Sequence, residues 1–547
     1  MKSLRLGLLL LLGLMGLCNG QAQTHENYRS LLTPEVRTGK LSSPGHLKAY
    51  LQDGKIRISL RDAILLALEN DSDIRLQETQ IESRKFALLS TFQPFDPSLQ
   101  SQFQVNRYSY PTYTQLQGVG ATGNAALNTL TQAGQINYLQ TFSTGTSIQA
   151  GVSSTRSSTN SSFYFFNPNY SSSLNLQFTQ PLLRNAGRFA NTAPIKIARK
   201  GLSQSKSSFE ASVNDTILIV IQQYWFAVQA RGALDVQRKA MDLAEASYQH
   251  DKRALELGAL PPLDISRSES EVAARKVSQI QAAYALTQAE EALRLAIGAD
   301  QDPQFKSAGL ELTEDPQAGS DMETLSLDAA LEQAFNSRPE LSAAADLLAA
   351  DDLSVRLAKN QLKPNLSLTG FYLSNGLGGN QYDLTTGQLL SSGGFGSSFN
   401  QLFGFSFPGY GGQLSLTFPI RNRAAQAQVG NALVSKEHDL YSARQAREIV
   451  TRQVRDAAEQ METSKVTLDA ANKSVDLARK ELSAEQRKYE LGADTNFYVL
   501  DAQSRLAQAE LALLQARVGY QVARASIEHA KGTLLAPFRL QFETLIK

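Results

Sequence analysis

From Leu433 to Leu534 the apolar residues keep a seven-residue spacing that leaves few folds open. Leu433, Leu440, Val454, Met461, Leu468, Val475, Leu482 and Tyr489 form one row, broken only by Arg447. Three places on from each lies a mostly small partner: Ala443, Val450, Ala457, Ser464, Ala471, Ala478. After a turn-like Leu491-Gly492-Ala493-Asp494, a second series runs through Val499, Leu506, Leu513, Tyr520, Ile527 and Leu534, with Ala502, Ala509, Ala516, Ala523 and Ala530 beside it. This spacing keeps a seam on one side of an under-wound helix, and alanine lets a second helix approach closely. The pattern predicts a long antiparallel coiled-coil hairpin.

The same arrangement occurs earlier in the chain. Val213, Val220, Ala227, Leu234, Met241, Tyr248 and Leu255 keep the heptad, Leu257-Gly258-Ala259 makes the turn, and Ile265, Val272, Leu286 and Leu293 return. A short helix start is also repeated: Ile58-Ser59-Leu60 matches Leu325-Ser326-Leu327, Ala63 matches Ala330, and Ala67 matches Ala334. Ser59 can accept from first-turn amides, and Asp62 suits a helix N-terminus. The chain reads as an internal duplication, 57–310 and 311–537, with a lead-in at 23–56 and a tail at 538–547.

Between the short and long helices the period changes to two. Leu99, Phe103 and Val105 alternate with Gln100, Gln102, Gln104 and Asn106, and Leu174, Leu176 and Phe178 with Asn175, Gln177 and Thr179. In the second repeat Leu366 and Leu368, then Leu414, Leu416 and Phe418, alternate with polar residues. These are strands with one apolar and one polar face. The stretches 111–132, 155–171 and 376–410 read as loops rich in Gly, Ser, Asn and aromatics. An additional hairpin is expected from Ala133 to Phe142 and Thr146 to Ser153, turning at Ser143-Thr144-Gly145.

The start of the chain has a basic Lys2 and Arg5, an apolar run to Leu17, and small residues at Gly20 and Ala22, which reads as a secretory signal peptide at 1–22. Cys18, the only cysteine, follows Leu17 rather than the small residue a lipid-anchor site needs. A net charge of +1 with 19% charged residues argues against a nucleic-acid partner, whose affinity comes from neutralised phosphates. No later apolar run approaches the ~20 residues of a spanning helix. A helix from Ala424 to Leu491 is a rod of roughly 100 Å at about 1.5 Å per residue, and its charged outer positions require water. The strands instead suit a membrane barrel with lipid outside and water inside. Four of them cannot close one, because edge amides would face lipid, so several chains must share a barrel.

The duplicated order of short helix, strands and long hairpin, with Gln180-Pro181-Leu182-Leu183 closing a strand, Tyr489-Glu490-Leu491-Gly492 at the turn and Val499-Leu500-Asp501-Ala502 after it, resembles the TolC-type outer membrane efflux protein family over about residues 57 to 536. The resemblance implies an α+β membrane protein of the Gram-negative outer membrane, a homotrimer whose chains each give four strands to a shared twelve-stranded transmembrane β-barrel. Its coiled-coil hairpins would form a periplasmic barrel. Cargo would come from an inner-membrane transporter through a periplasmic adaptor, or membrane fusion, protein.

The resemblance also implies a gate at the hairpin tips. Asp264 and Tyr489 match family gate positions, Asp501 keeps one acidic-ring position, Asp494 stands where a linking arginine is found, and Tyr498 where a second ring acid is found. Asp264 and Asp494 would repel, so Tyr489 or Arg505 is expected to hold the closed state. Leu257, Gly258, Ala259, Leu491, Gly492 and Ala493 correspond to the adaptor-docking tip. Structural roles compete: acids are favoured at helix starts, Tyr489 is a seam residue, and Gly492 suits a left-handed helix end.

Gly118-Val119-Gly120-Ala121-Thr122-Gly123 matches a dinucleotide fingerprint in letters only, without the strand and helix that would aim amides at a pyrophosphate. The five histidines show no ligand spacing, and no nucleophile motif is present, so neither catalysis, cofactor nor metal is expected. A structural, envelope-spanning periplasmic coiled-coil protein without channel activity would explain the heptads but not the strands. An export adaptor would carry one hairpin, not two. The exported cargo is not legible.

Overall fold

The computed structural model describes residues 50–52, 55–114, 117, 119, 126–257, 262–299, 308–316, 326–491 and 493–535, and the side chains of 262–264 fall outside this set. The expected signal peptide, nearly all of the lead-in, most of the glycine run at 118–123 and the tail lie outside the described residues.

Each repeat opens with two short helices and closes with two long ones. The first has α1 (Leu60–Asn70), α2 (Ser72–Ser90), α3 (Gly187–Glu256) and α4 (Pro262–Ala296). The second has α5 (Leu327–Ser337), α6 (Pro339–Gln361), a short α7 (Phe395–Phe403), α8 (Arg423–Glu490) and α9 (Asn496–Lys531). Corresponding helices match in length: 11 and 11 residues for α1 and α5, 70 and 68 for α3 and α8, 35 and 36 for α4 and α9. Ser59 Oγ accepts from the Asp62 amide at 3.2 Å while Asp62 Oδ2 accepts from the Ser59 amide at 3.1 Å, so α1 begins in a reciprocal capping box. Ser326 makes no such bond at the start of α5.

The chain divides into two units. One comprises Lys85–Gly201 and Leu348–His438 and is built on an antiparallel sheet of β3 (Ser98–Pro111), β4 (Ala126–Thr141), β5 (Ser147–Thr159), β6 (Phe166–Pro181), β8 (Asn365–Tyr382) and β10 (Phe407–Thr417), in the order β10-β8-β6-β5-β4-β3, with a three-residue β9 (Leu389–Ser391) beside β8. Directly opposed residues share a face. Leu414 opposes Leu368, Leu176 opposes Tyr372, Val152 opposes Leu174, Ile136 opposes Val152, and Ser101, between Leu99 and Phe103, opposes Ile136. One face is thus apolar across all six long strands, and the reverse face carries Gln102, Gln135, Ser153, Asn175 and Gln413. Phe103 is 72% exposed and Leu414 65%, an apolar surface that water does not tolerate.

The family resemblance implies four strands per chain; the sheet has six long ones. The additional hairpin is full length and lies inside the sheet, paired to β3 on one side and to β6 on the other. Its turn is where the sequence placed it, with Gly145 at φ 86° and the Phe142 amide donating to Thr146 O at 2.8 Å. Much of 155–171, expected as loop, is strand. These residues look like loop because they lack apolar alternation, yet the ladder holds them, Thr155 opposite Ser171 and Ser157 opposite Asn169, and just beside them Ser154 pairs with Ser172 at 2.9 Å. Parts of 376–410 are likewise strand and helix.

The other unit, drawn from Arg37–Arg84, Leu202–Leu347 and Asp439–Lys547, holds the hairpins. A small sheet of β1 (Leu51–Gln52), β2 (Lys55–Ile58) and β7 (Gly309–Leu312), with β2 and β7 parallel, places Ile56 and Ile58 in a core with Ile64 and Ala67 of α1, Val213, Ile217 and Tyr224 of α3, and Leu293 of α4. Along α8 and α9 the heptad residues bury in succession. Val454 and Ala457 meet Ile527 and Ala530, Leu468 and Ala471 meet Ala516 and Tyr520, Val475 and Ala478 meet Ala509, and Leu482 meets Val499 and Ala502. Among the described residues no helix is long and apolar enough to cross a membrane.

Candidate functional site

Near the turns of the two hairpins, within the second unit, a polar cluster links all four long helices. Asp251 of α3 is 2% exposed. Its Oδ2 accepts from Ser268 Oγ of α4 and from Asn496 Nδ2 of α9, the latter at 2.6 Å. Asn496 Nδ2 also reaches Ser247 Oγ of α3 at 3.3 Å. The Tyr489 hydroxyl of α8 lies 3.4 Å from His250 Nδ1, and the two rings meet edge to face at 5.8 Å. The guanidinium of Arg267 (α4) sits 4.8 Å from the centre of the Phe497 ring (α9). A buried carboxylate is tolerated where charge-assisted hydrogen bonds replace its water, and Asn496, the first residue of α9, supplies one across the two hairpins.

Asp251 Oδ1 is buried without a hydrogen-bond partner and lies 3.6 Å from His250 Nδ1. Tyr489 feels the cluster too. Burial first, then the negative charge of Asp251 and a hydrogen bond to it, push its hydroxyl above the usual tyrosine range. It is therefore a neutral donor at any physiological pH.

The residues singled out from sequence are distributed around this cluster rather than gathered in it. Tyr489 belongs to it. Arg505 does not cross to the first hairpin: it pairs with Glu481 and with Asp501, both at 2.9 Å, inside its own hairpin. Asp494 accepts from the neighbouring Thr495 amide at 2.9 Å, and Tyr498 stacks edge to face on Phe497 while half exposed. Leu257 and Leu491, matching positions at the two turns, are 84% and 83% exposed, and the Ala493 amide donates to Lys488 O at 2.9 Å. Gly258, Ala259, Gly492 and the side chain of Asp264 lie outside the described residues.

Asp251, Asn496, Ser247 and Ser268 were not singled out from the sequence. One signal was available: Asp251 follows the seam residue Tyr248 by three, the place the second hairpin mostly fills with alanine. An acid there needs a partner. Glu485 occupies the same place after Leu482 and binds Lys488 at 2.6 Å.

Duplicated long hairpins in one chain with an amphipathic antiparallel sheet of exposed apolar residues define an outer-membrane channel-tunnel. The family model for "Outer membrane efflux protein" matches residues 146–299 and 330–533, and the chain belongs to that family. It is 25% identical over 366 residues to the outer membrane protein TolC of Vibrio cholerae, covering 66% of this chain and 77% of that one. A membrane protein from Pseudomonas aeruginosa superposes with a TM-score of 0.61 at 18% identity, covering 91% and 98% of the two chains. The Campylobacter jejuni CmeC outer membrane channel does so at 0.59 and 17%, covering 92% and 90%. The protein is accordingly an efflux channel protein of the outer membrane, and its relatives are channels rather than enzymes.

Proposed function

We propose that this chain is the exit duct of a tripartite efflux or type I secretion system, passing substrates from an inner-membrane pump and a periplasmic adaptor to the exterior. Three chains form the duct. The observation that carries this reading is the sheet itself: six antiparallel strands, apolar on one face, polar on the other, with β3 and β10 as open edges. Edges cannot stand in lipid. Because six is even, β3 and β10 run in opposite directions, so β10 of one chain can pair with β3 of the next and repeat the internal pattern. Three such sheets close a ring of eighteen strands with the polar face inside, wider than twelve strands would make it. Exposed apolar residues at helical spacing on α4, Val277, Ile280 and Tyr284, supply a surface for a neighbouring subunit.

The Asp251 cluster, rather than an Asp264–Asp494 contact, is the closed-state latch in this reading, and Tyr489 joins it from α8 through His250. Asp501 and Arg505 line the passage as an ion-paired ring. Leu257 and Leu491, both largely exposed, are the docking points for the adaptor together with Gly258, Ala259, Gly492 and Ala493. Light scattering in mild detergent tests the assembly. Trimers that conduct in planar bilayers are expected, and a conducting monomer or a non-conducting trimer overturns the reading.

A further inference from the structure

Between Asp96 and Arg184 the only charged residues are Arg107 and Arg156. Both project from the apolar face of the sheet. Arg156 stands in the row Val105–Gln132–Arg156–Tyr170, where its Nη1 donates to Gln132 Oε1 at 2.9 Å and its Nε to Tyr170 Oη at 3.2 Å. Arg107 follows Val105 by two and so shares the face. Neither meets a carboxylate among the described residues. Below this row the face turns apolar through Phe103, Ile136 and Val152.

The helix α7 is docked on the same face. A Cβ on Gly376 would lie 1.9 Å from Ser398 O, and one on Gly378 2.4 Å from Gly394 O, so only glycine admits the helix there. Ser374 Oγ donates to Leu402 O at 2.7 Å, and Ser172 Oγ meets Ser398 Oγ at 2.9 Å, all three serines being buried. The helix carries no charged residue, and none occurs from Leu384 to Ile420. The rings of Phe395 and Phe399 lie 4.2 Å apart, tilted by 34°, and with Phe103, Ile136 and Val152 line an open groove of about 480 Å³ that also reaches Arg156.

We propose that this groove binds a phosphate-bearing lipid of the outer leaflet, its phosphate on Arg156 and Arg107 and an acyl chain along Phe395 and Phe399. The proposal rests on the reading of the apolar face as the lipid face, and the groove is continuous with it. Arginine toward lipid is costly at mid-bilayer and tolerated near the interface, so two arginines beyond the apolar rows belong at headgroup depth. A guanidinium with only neutral partners takes phosphate in a two-pronged charge-assisted contact. α7 rests on β6 and β8, interior strands, while Phe103 and Arg107 belong to the edge strand β3; a second copy that pairs with β3 edge to edge takes its backbone amides and carbonyls and leaves this side-chain face to lipid.

Native mass spectrometry of the full-length protein in mild detergent, titrated with lipid A and with dephosphorylated lipid A, reads the site. Wild type is expected to bind lipid A at least about tenfold more tightly than Arg107→Gln/Arg156→Gln does, the loss expected for charge-assisted bonds. Arg156→Lys should be intermediate, and dephosphorylated lipid A should bind both proteins weakly. Equal affinity of wild type and the double variant, or indifference to the phosphate, overturns the site. Leu414→Cys and Ser415→Cys, labelled with a polarity-sensitive dye in brominated phosphatidylcholine vesicles, test the face separately. Quenching at Leu414 and not at Ser415 keeps the lipid-face reading whatever the arginines do; the reverse removes that reading and this proposal with it.

Discussion

Asp251 is buried, and the Asn496 amide that donates to it at 2.6 Å joins the two hairpins near their turns. Hydrogen bonds to charged groups contribute about 1.5–3 kcal/mol. Asn496→Ala should therefore raise basal conductance in planar bilayers about tenfold or more, by favouring separation of the two hairpins. Asp251→Ala should add little on top of it, since the two act as a pair. Full additivity would mean that they do not. Glu314 offers a test of a different kind. Burial pushes its carboxyl above the usual glutamate range; donation from the Leu60 amide opposes this, and the nearby Asp62 adds to it. A raised acid pKa means the folded state binds the proton more tightly, so this group's stabilisation is complete at low pH and is lost as pH rises from the ordinary glutamate value through the raised one. Glu314→Gln should show a smaller drop in melting temperature between pH 4 and 7 than the parent. A steeper drop in the variant would refute the assignment.

Among the elements, the second hairpin depends on small residues facing each other. Ala523 is fully buried between helices, and Ala512, on the same helix, is exposed. Added bulk in a packed seam costs about 1–3 kcal/mol. Ala523→Leu should therefore lower the melting temperature by several degrees in detergent, whereas Ala512→Leu should leave it unchanged; equal effects would contradict the seam. The heptad was legible because one spacing decides both helix and partner. The β4–β5 hairpin was only partly so. Its outer residues are mostly serine and threonine on both faces, and no periodicity distinguishes such a strand from a loop until its neighbours pair with it.

At the scale of the whole molecule, six strands per chain rather than four make a specific demand. Cryo-electron microscopy of the trimer should count eighteen strands, and deletion of residues 126–159 should reduce single-channel conductance by narrowing the ring. A ring of twelve with the hairpin folded elsewhere would overturn the closure argued from β3 and β10. The tips make a separate demand. Leu257→Asp with Leu491→Asp should abolish export while leaving conductance of the purified channel intact, because only adaptor docking is removed; unimpaired export would sink the docking assignment.

Sequence alone determined the duplication, the two hairpins and their seam, the capped start of α1 at Ser59, and the alternating strands, since each follows from spacing along one element. Tyr489 was legible as a seam residue for the same reason, while its gate role is a proposal that comes from the family resemblance. Tertiary structure decided the rest: which strands stand side by side, that α7 docks on Gly376 and Gly378, and that Asp251 finds Asn496. Those are meetings between segments far apart in the chain, and no local period records which buried polar group will lie opposite which.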